Sequence, residues 1–188
     1  MKKFARVFIF FFVIAFSAQS QKQEQTPSVQ LPIDSITRLI TYEGVLQATG
    51  IKADVLYNRA LSFFKSQYKN YREVIRESDS LKFKIAGRPR FKIYNVPDKE
   101  GLRTDAGIIQ YDIKVSAKDG RFKYELTEFN WKQQSYYAAE RWMDTKSLSY
   151  SLAYAEYLKQ LDQYANDLIK KLSDAMLMEK PVMDHDNW

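Results

Sequence analysis

The strongest constraint on the fold is a hairpin pattern in the middle of the chain. Apolar and polar side chains alternate along residues 108–116 and resume after a short break along 121–131, which is the period of strands with one buried face. Asp119 and Gly120 lie in the break, and Asp-Gly strongly favours a tight hairpin turn. The alternation of the second run slips by one residue, which predicts a β-bulge near Thr127. An antiparallel sheet is therefore expected at the centre of the fold.

Two helices and three more strands are expected around this hairpin. Apolar residues recur at helical spacing along 53–68 and along 147–178. Short β-branched or alternating runs predict strands at 36–43, 73–79 and 81–94. Gly87 and Pro89 interrupt the last run, so a bulge or an edge position is expected there. The order β-α-β-β-β-β-α predicts an α+β fold of two layers, with an antiparallel sheet, both helices on one face and a long C-terminal helix.

The first twenty residues have the pattern of a secretory signal peptide. Three cations precede an apolar run at 7–16: Lys2, Lys3 and Arg6. Small residues follow, and Ala18 and Ser20 occupy the positions that signal peptidase reads. The apolar run is too short to cross a bilayer, which takes about 20 residues. We expect cleavage after Ser20 and a periplasmic or secreted protein.

Composition limits what the mature chain can be. Removal of the leader leaves 26 Lys and Arg against 23 Asp and Glu, a net charge of +3. The absence of cysteine excludes disulfides, thiolate metal sites, cysteine nucleophiles and a lipoprotein anchor. No later apolar run is long enough to span a membrane. We expect a disordered leader at 21–30, a single α+β domain at 31–178 that includes the helix at 147–178, and a flexible tail at 179–188.

Reaction chemistry has little basis in this sequence. His185 is the only histidine and lies in the expected tail, so it has no partner for a metal site or a catalytic triad. The six glycines are scattered, which excludes a phosphate-binding loop. We therefore predict no catalytic residue, no metal ligand and no cofactor. A glycan hydrolase that uses two carboxylates is the least favoured alternative, because most acids neighbour Lys or Arg.

Two segments resemble a known family. Residues 56–64, LYNRALSFF, and residues 115–124, VSAKDGRFKY, resemble the exported bacterial family called domain of unknown function 4468. The resemblance covers about 31–131 and implies a TBP-like fold. It implies no functional residue, because the family has no established activity. It does not imply DNA binding either, because a shared fold does not establish a shared function. An exported protein with a net charge of only +3 would also not be in the same compartment as chromosomal DNA.

Two surfaces are candidates for binding a partner. The basic strand consists of Lys82, Lys84, Arg88, Arg90 and Lys92. The aromatic connection consists of Trp131, Tyr136, Tyr137, Arg141 and Trp142. A cationic stripe attracts anionic partners, and Tyr, Trp and Arg dominate interfaces. Each surface also has a structural interpretation: the first as the solvated face of the sheet, the second as a hinge that packs the last helix.

The sequence thus favours an exported, non-enzymatic binding module of the cell envelope. Its partner would be an envelope protein, an anionic glycan or a lipid headgroup, and we predict no nucleic acid partner. The alternative is a carrier of a small apolar ligand, held in a cleft between the sheet and the apolar stripe of residues 158–172.

Overall fold

The computed structural model describes residues 29–178. The expected signal peptide, the expected leader up to residue 28 and the expected tail lie outside these residues. The elements, in chain order, are β1 (Tyr42–Gln47), α1 (Ala53–Gln67), α2 (Tyr71–Val74), β2 (Ile75–Asp79), β3 (Lys84–Gly87), β4 (Arg90–Tyr94), β5 (Asp105–Lys118), β6 (Arg121–Lys132), β7 (Tyr136–Ala138), a 3₁₀ helix (Ala139–Met143) and α3 (Ala153–Leu177). In this part of the chain no helix combines the length and the apolarity that crossing a bilayer requires.

The hairpin of β5 and β6 forms the spine of the sheet, as the sequence predicted. Gly120 closes its turn with a φ of 74°. The predicted bulge is also present: Gln110 faces Asn130 while Asp112 faces Thr127, so β6 carries one residue more than β5 over this stretch. Glu128 is inside the bulge and has a φ of 56°. The bulge explains why apolar residues on both sequence parities of β6 reach the same core.

Short strands flank the two long ones. β3 and β4 pair one after the other along the outer edge of β5, and β1 and β7 do the same along β6. β2 adds outside β3, which gives a sheet of seven strands in which all pairs are antiparallel. The expected α+β class is confirmed, although the number of strands is larger than the five predicted.

Both long helices cover one face of this sheet. α1 buries Leu56 and Phe64, and α3 buries Leu161 and Leu172, against a row of β5 side chains centred on Tyr111. These residues recur every three or four positions in the helices and every second position in β5, so the two periods meet in one core. The other face of the sheet carries polar and charged side chains.

The first strand, predicted at 36–43, lies further along the chain and shares only residues 42 and 43 with the prediction. Asp34 accepts hydrogen bonds from the N–H groups of Ile36 (3.1 Å) and Thr37 (2.6 Å), which fold the chain into a turn. Arg38 then takes a φ of 64°, and the strand begins only at Tyr42. The β-branched residues of this segment suggested a strand, but the local carboxylate competed for the backbone donors.

The single strand predicted at 81–94 is two strands. Pro89 has no N–H to give, and the strand is interrupted between Gly87 and Arg90. Within the described residues β4 pairs with β5 alone, so it lies at an edge of the sheet. The strand predicted at 73–79 starts at Ile75, because the helical turn α2 precedes it. The helix predicted from residue 147 begins at Ala153, since residues 144–152 form turns.

Candidate functional site

The aromatic connection folds into a cavity. β6 is longer than β1, so the residues after its bulge have a free edge, and β7 pairs with them. The 3₁₀ helix follows directly and turns the chain back towards the start of α3. A cavity of about 740 Å³ lies between these elements, which we call the aromatic cavity; it is lined by Trp131, Gln133, Gln134, Tyr137, Glu140, Arg141, Trp142, Asp144, Ser147, Ser149 and Tyr154.

Packed rings form one side of the aromatic cavity. The rings of Trp131 and Trp142 meet edge to face at 5.4 Å, and Tyr154 of α3 stacks beside Trp142 at 5.7 Å. Trp142 is 3% exposed, whereas Tyr137 is 40% exposed. The indole N–H of Trp131 donates to the carbonyl of Ala106 at 3.0 Å and fixes that ring. The rings therefore hold one another in place.

Charged groups lie among these rings. Glu140 accepts a hydrogen bond from the N–H of Ile40 through Oε1 at 2.7 Å, while its Oε2 is buried and has no hydrogen-bond partner in residues 29–178. The guanidinium of Arg141 lies 5.7 Å from the centre of the Tyr137 ring, a cation–π distance. Asp144 adds a second carboxylate to the lining. The cavity thus offers donors, acceptors and apolar faces together.

Four of the five residues of the aromatic connection meet in this cavity: Trp131, Tyr137, Arg141 and Trp142. Tyr136 does not, because side chains alternate along β7 and its hydroxyl is 3.5 Å from Gln110 Oε1 on the other face of the sheet. Sequence reasoning did not identify Glu140 or Tyr154. Glu140 could have been found because it lies between the predicted site residues Tyr137 and Arg141 in the sequence. No feature of the sequence distinguishes Tyr154 from the other tyrosines of α3.

The basic strand is exposed as predicted, but much of its charge is compensated. All five cations lie on the side of the sheet away from the helices or in the turn before β3. Three of them form ion pairs, Lys82 with Asp79 at 3.3 Å, Arg88 with Asp112 at 2.6 Å and Lys92 with Asp105 at 2.9 Å. Lys84 and Arg90 have no ion pair within the described residues. The stripe as a whole is therefore a weaker attractant for anions than its sequence suggested.

Carboxylate pairing is visible in the pKa values of this surface. The hydrogen bond from Lys92 and one from the Gly107 N–H lower the pKa of Asp105. Asp79 has a lowered pKa because backbone N–H groups and Lys82 donate to it. Both acids are therefore ionised at neutral pH, which keeps their lysine partners occupied.

The apolar stripe of α3 packs closely against its neighbours. Leu161, Leu168 and Leu172 are buried against the sheet and α1. The aromatic cavity lies instead at the N-terminal end of α3. The geometry therefore gives no support to a carrier cleft under this helix.

Residues 42–132 match the family described as "Domain of unknown function (DUF4468) with TBP-like fold". The match is to DUF4468. The resemblance drawn from residues 56–64 and 115–124 is thereby confirmed, although the matched segment begins at β1 rather than near residue 31. The DUF4468 segment ends with β6, so it contains the basic strand and Trp131, while the other residues that line the aromatic cavity follow it.

Solved structures share this fold. A DUF4468 family protein from Bacteroides ovatus superposes with a TM-score of 0.64 at 17% identity, over 80% of this chain and 92% of that one. A TBP-like protein from Parabacteroides distasonis superposes with a TM-score of 0.61 at 16% identity, over 80% of this chain and 99% of that one. No curated protein matches the sequence. At these identities the similarity establishes the TBP-like fold and carries no function.

Proposed function

We propose that this protein is an exported, non-enzymatic binding module that recognises a glycan of the cell envelope through the aromatic cavity. The observation that carries the proposal is the composition of that cavity. It joins packed aromatic rings to polar side chains that include a guanidinium, two amides and two hydroxyls.

The lining chemistry suits a sugar. A pyranose ring has C–H groups on one face and hydroxyls around its edge, and C–H groups pack well on the negative face of an aromatic ring. Hydroxyls both donate and accept, so they need mixed partners. The cavity provides them in the amides of Gln133 and Gln134, the hydroxyls of Ser147 and Ser149 and the guanidinium of Arg141. Its volume of about 740 Å³ is within the usual range for small-ligand sites.

Tryptophan fluorescence provides the assay, because Trp131 and Trp142 both line the cavity. We would titrate the protein with soluble N-acetylglucosamine oligomers, peptidoglycan fragments and uronic acid oligomers. At least one series should change the emission and saturate. The variant Tyr137→Ala should weaken that binding by about tenfold or more, as loss of an aromatic contact does at binding hot spots.

Tyr136→Ala is the matched control. Tyr136 is the neighbouring residue of the same strand and is 53% exposed, but it lies on the opposite face of the sheet. Its variant should bind as the unmodified protein does. No saturable binding of any series, or equal losses in both variants, would contradict a glycan site in this cavity.

Export is supported by the leader alone. The cations at residues 2, 3 and 6, the apolar run at 7–16 and the small residues at 18 and 20 form the pattern that secretion machinery recognises. Mass spectrometry of protein isolated from its own cells should find an N-terminal peptide that starts at Gln21. Recovery of intact protein from the cytosol would contradict export.

Glycan hydrolysis is the second candidate, because two carboxylates, of Glu140 and Asp144, line one cavity. Glycosidases work with such a pair. We favour binding because Glu140 Oε1 is occupied by the Ile40 N–H, which ties this residue to the fold. Prolonged incubation with the bound oligomer should release no new reducing ends. Release that disappears in Glu140→Gln would favour the hydrolase.

A further inference from the structure

The face of the sheet away from the helices carries a group of side chains beside the turn between β5 and β6. The residues that alternate with them along the strands pack in the core under the helices: Leu46, Ile85, Ala117 and Phe122. Because successive side chains of a strand point to opposite faces, the group itself projects from the other face. We call this group the cationic end, and it consists of Val45, Lys84, Ser116, Lys118, Arg121 and Lys123.

The strand register places these side chains next to one another. Ser116 of β5 lies between Lys84 of β3 and Lys123 of β6 and pairs with both. Lys118 pairs with Arg121 one step closer to the turn. Directly opposite side chains on one face have Cβ atoms about 4.5–5.5 Å apart. The four cations therefore share one small area of the face, around Ser116.

Much of the charge of this area is not compensated. Three of its cations have no ion pair within residues 29–178: Lys84, Lys118 and Arg121. Lys123 pairs with Glu43 at 2.6 Å, and in the turn before β3 Lys82 pairs with Asp79 at 3.3 Å. Asp119 is the third acid nearby, and its Oδ1 accepts the first backbone N–H of α1 at 2.8 Å. Five cations against three acids leave this end of the sheet positive.

Exposed apolar side chains accompany the cations. Val45 is 57% exposed and pairs with Lys123. Leu81, in the turn between β2 and β3, is 90% exposed. That turn lies at the same end of the sheet, because the carbonyl of Phe83 accepts the N–H of Ala117 at 2.9 Å. Proteins that rest on a membrane surface combine both features, since binding grows with apolar burial and with attraction to anionic lipids.

We propose that the cationic end binds the surface of an anionic lipid membrane, with Lys84, Lys118 and Arg121 on the headgroup phosphates and Leu81 in the interfacial layer. Charge complementarity favours this partner, because anionic headgroups attract clustered Lys and Arg side chains. The exposed apolar side chains favour a membrane over a soluble polyanion, which offers no apolar layer to enter.

This inference does not rest on the aromatic cavity or on its glycan. Trp131, which lines that cavity, is near the other end of β6 from the cationic end. Membrane contact and occupation of the aromatic cavity are therefore separate events, and each can be measured without the other.

Sedimentation with phosphatidylcholine vesicles, with and without phosphatidylglycerol, tests the proposal. Full-length protein and variants are isolated from the same cells, so that they share one N-terminus. The unmodified protein should sediment far more with the anionic vesicles, and added salt should weaken this binding. Lys84→Gln, Lys118→Gln and Arg121→Gln in one chain should weaken it by about a hundredfold, because each cation at an anionic surface contributes about fivefold.

The matched control removes three exposed cations from the long helices, on the other side of the sheet: Lys65→Gln, Lys159→Gln and Lys170→Gln in one chain. It changes the net charge equally, but at physiological ionic strength it should weaken vesicle binding by less than about threefold, because distant charges are screened. Equal losses in the two triple variants, or equal sedimentation with neutral and anionic vesicles, would overturn the proposal.

Leu81→Ser tests the choice of a membrane as the partner. Leu81 is too exposed to support the core, so this variant should fold normally and should bind anionic vesicles more weakly than the unmodified protein. Its binding to heparin, a soluble polyanion, should equal that of the unmodified protein. Unchanged vesicle binding in Leu81→Ser, together with tight binding of heparin, would assign the cationic end to a soluble polyanion and would refute membrane contact.

Discussion

A side chain added at Gly87 should disturb the packing of α1 on the sheet. Gly87 ends β3, and the Phe64 ring of α1 lies directly on its backbone. A Cβ built on Gly87 would be 2.8 Å from Phe64 Cε1 and 3.1 Å from the carbonyl oxygen of Val74. Neither neighbour can yield, because Phe64 is fully buried and the Val74 carbonyl accepts the Arg88 N–H at 2.8 Å.

The magnitude for Gly87→Ala follows from two opposing effects. Overpacking a dense core costs about 1–3 kcal/mol. An alanine restrains the unfolded chain, which returns about 0.4–1 kcal/mol. The free energy of unfolding should therefore fall by about 1–2 kcal/mol, measured by urea denaturation with an unchanged slope. The melting temperature should drop by about 2–8 °C for a chain of this size.

Gly44→Ala is the control for this reasoning. A Cβ on Gly44 of β1 would be 2.7 Å from the hydroxyl oxygen of Tyr124, an equally short contact. Tyr124 is only partly buried, so its ring can swing towards solvent, and the loss should stay below about 1 kcal/mol. If Gly87→Ala is neutral, or if Gly44→Ala costs more, the claim that a rigid neighbour decides the outcome is refuted.

Three more outcomes are expected. Burial raises the pKa of Tyr111 and of its hydrogen-bond partners Tyr68 and Tyr164, so the unfolded chain loses these protons at a lower pH than the folded chain. The free energy of unfolding should therefore be maintained up to about pH 10 and fall above it. In equilibrium unfolding at several pH values, Tyr111→Phe should make this fall with pH shallower by about 1.4 kcal/mol per pH unit. A double-mutant cycle on Arg88 and Asp112 should give a coupling of about 0.2–1 kcal/mol that salt weakens, because the pair is partly exposed; a coupling that salt leaves unchanged would contradict this. Leu161→Ala should lower the free energy of unfolding by about 2–5 kcal/mol, whereas the exposed Leu152→Ala should barely change it.

Only part of the candidate site could be predicted from the sequence. Trp131, Tyr137, Arg141 and Trp142 were identified because they cluster in one connection, and the fold brings all four to one cavity. Tyr136 looked equivalent and is not, because β7 was missed and only its pairing with β6 separates the two tyrosines by face.

Local patterns determined the elements whose signals lie within a few residues of each other. The Asp119-Gly120 turn, the bulge near Thr127 and the stripe of α1 follow from turn chemistry and from side-chain period, and the structure contains all three. The misplaced first strand is also explained by a local interaction. There too a short-range interaction, from Asp34 to the backbone, was stronger than the β-propensity of its neighbours.

Only the tertiary structure decided which surfaces can act. The folded structure is what shows that Arg88 pairs with Asp112 and that Lys92 pairs with Asp105. It also shows that Tyr68, Tyr111 and Tyr164 join their hydroxyls. Hydrogen bonds and ion pairs act over a few ångströms, and only the folded chain brings residues that are distant in sequence within that range.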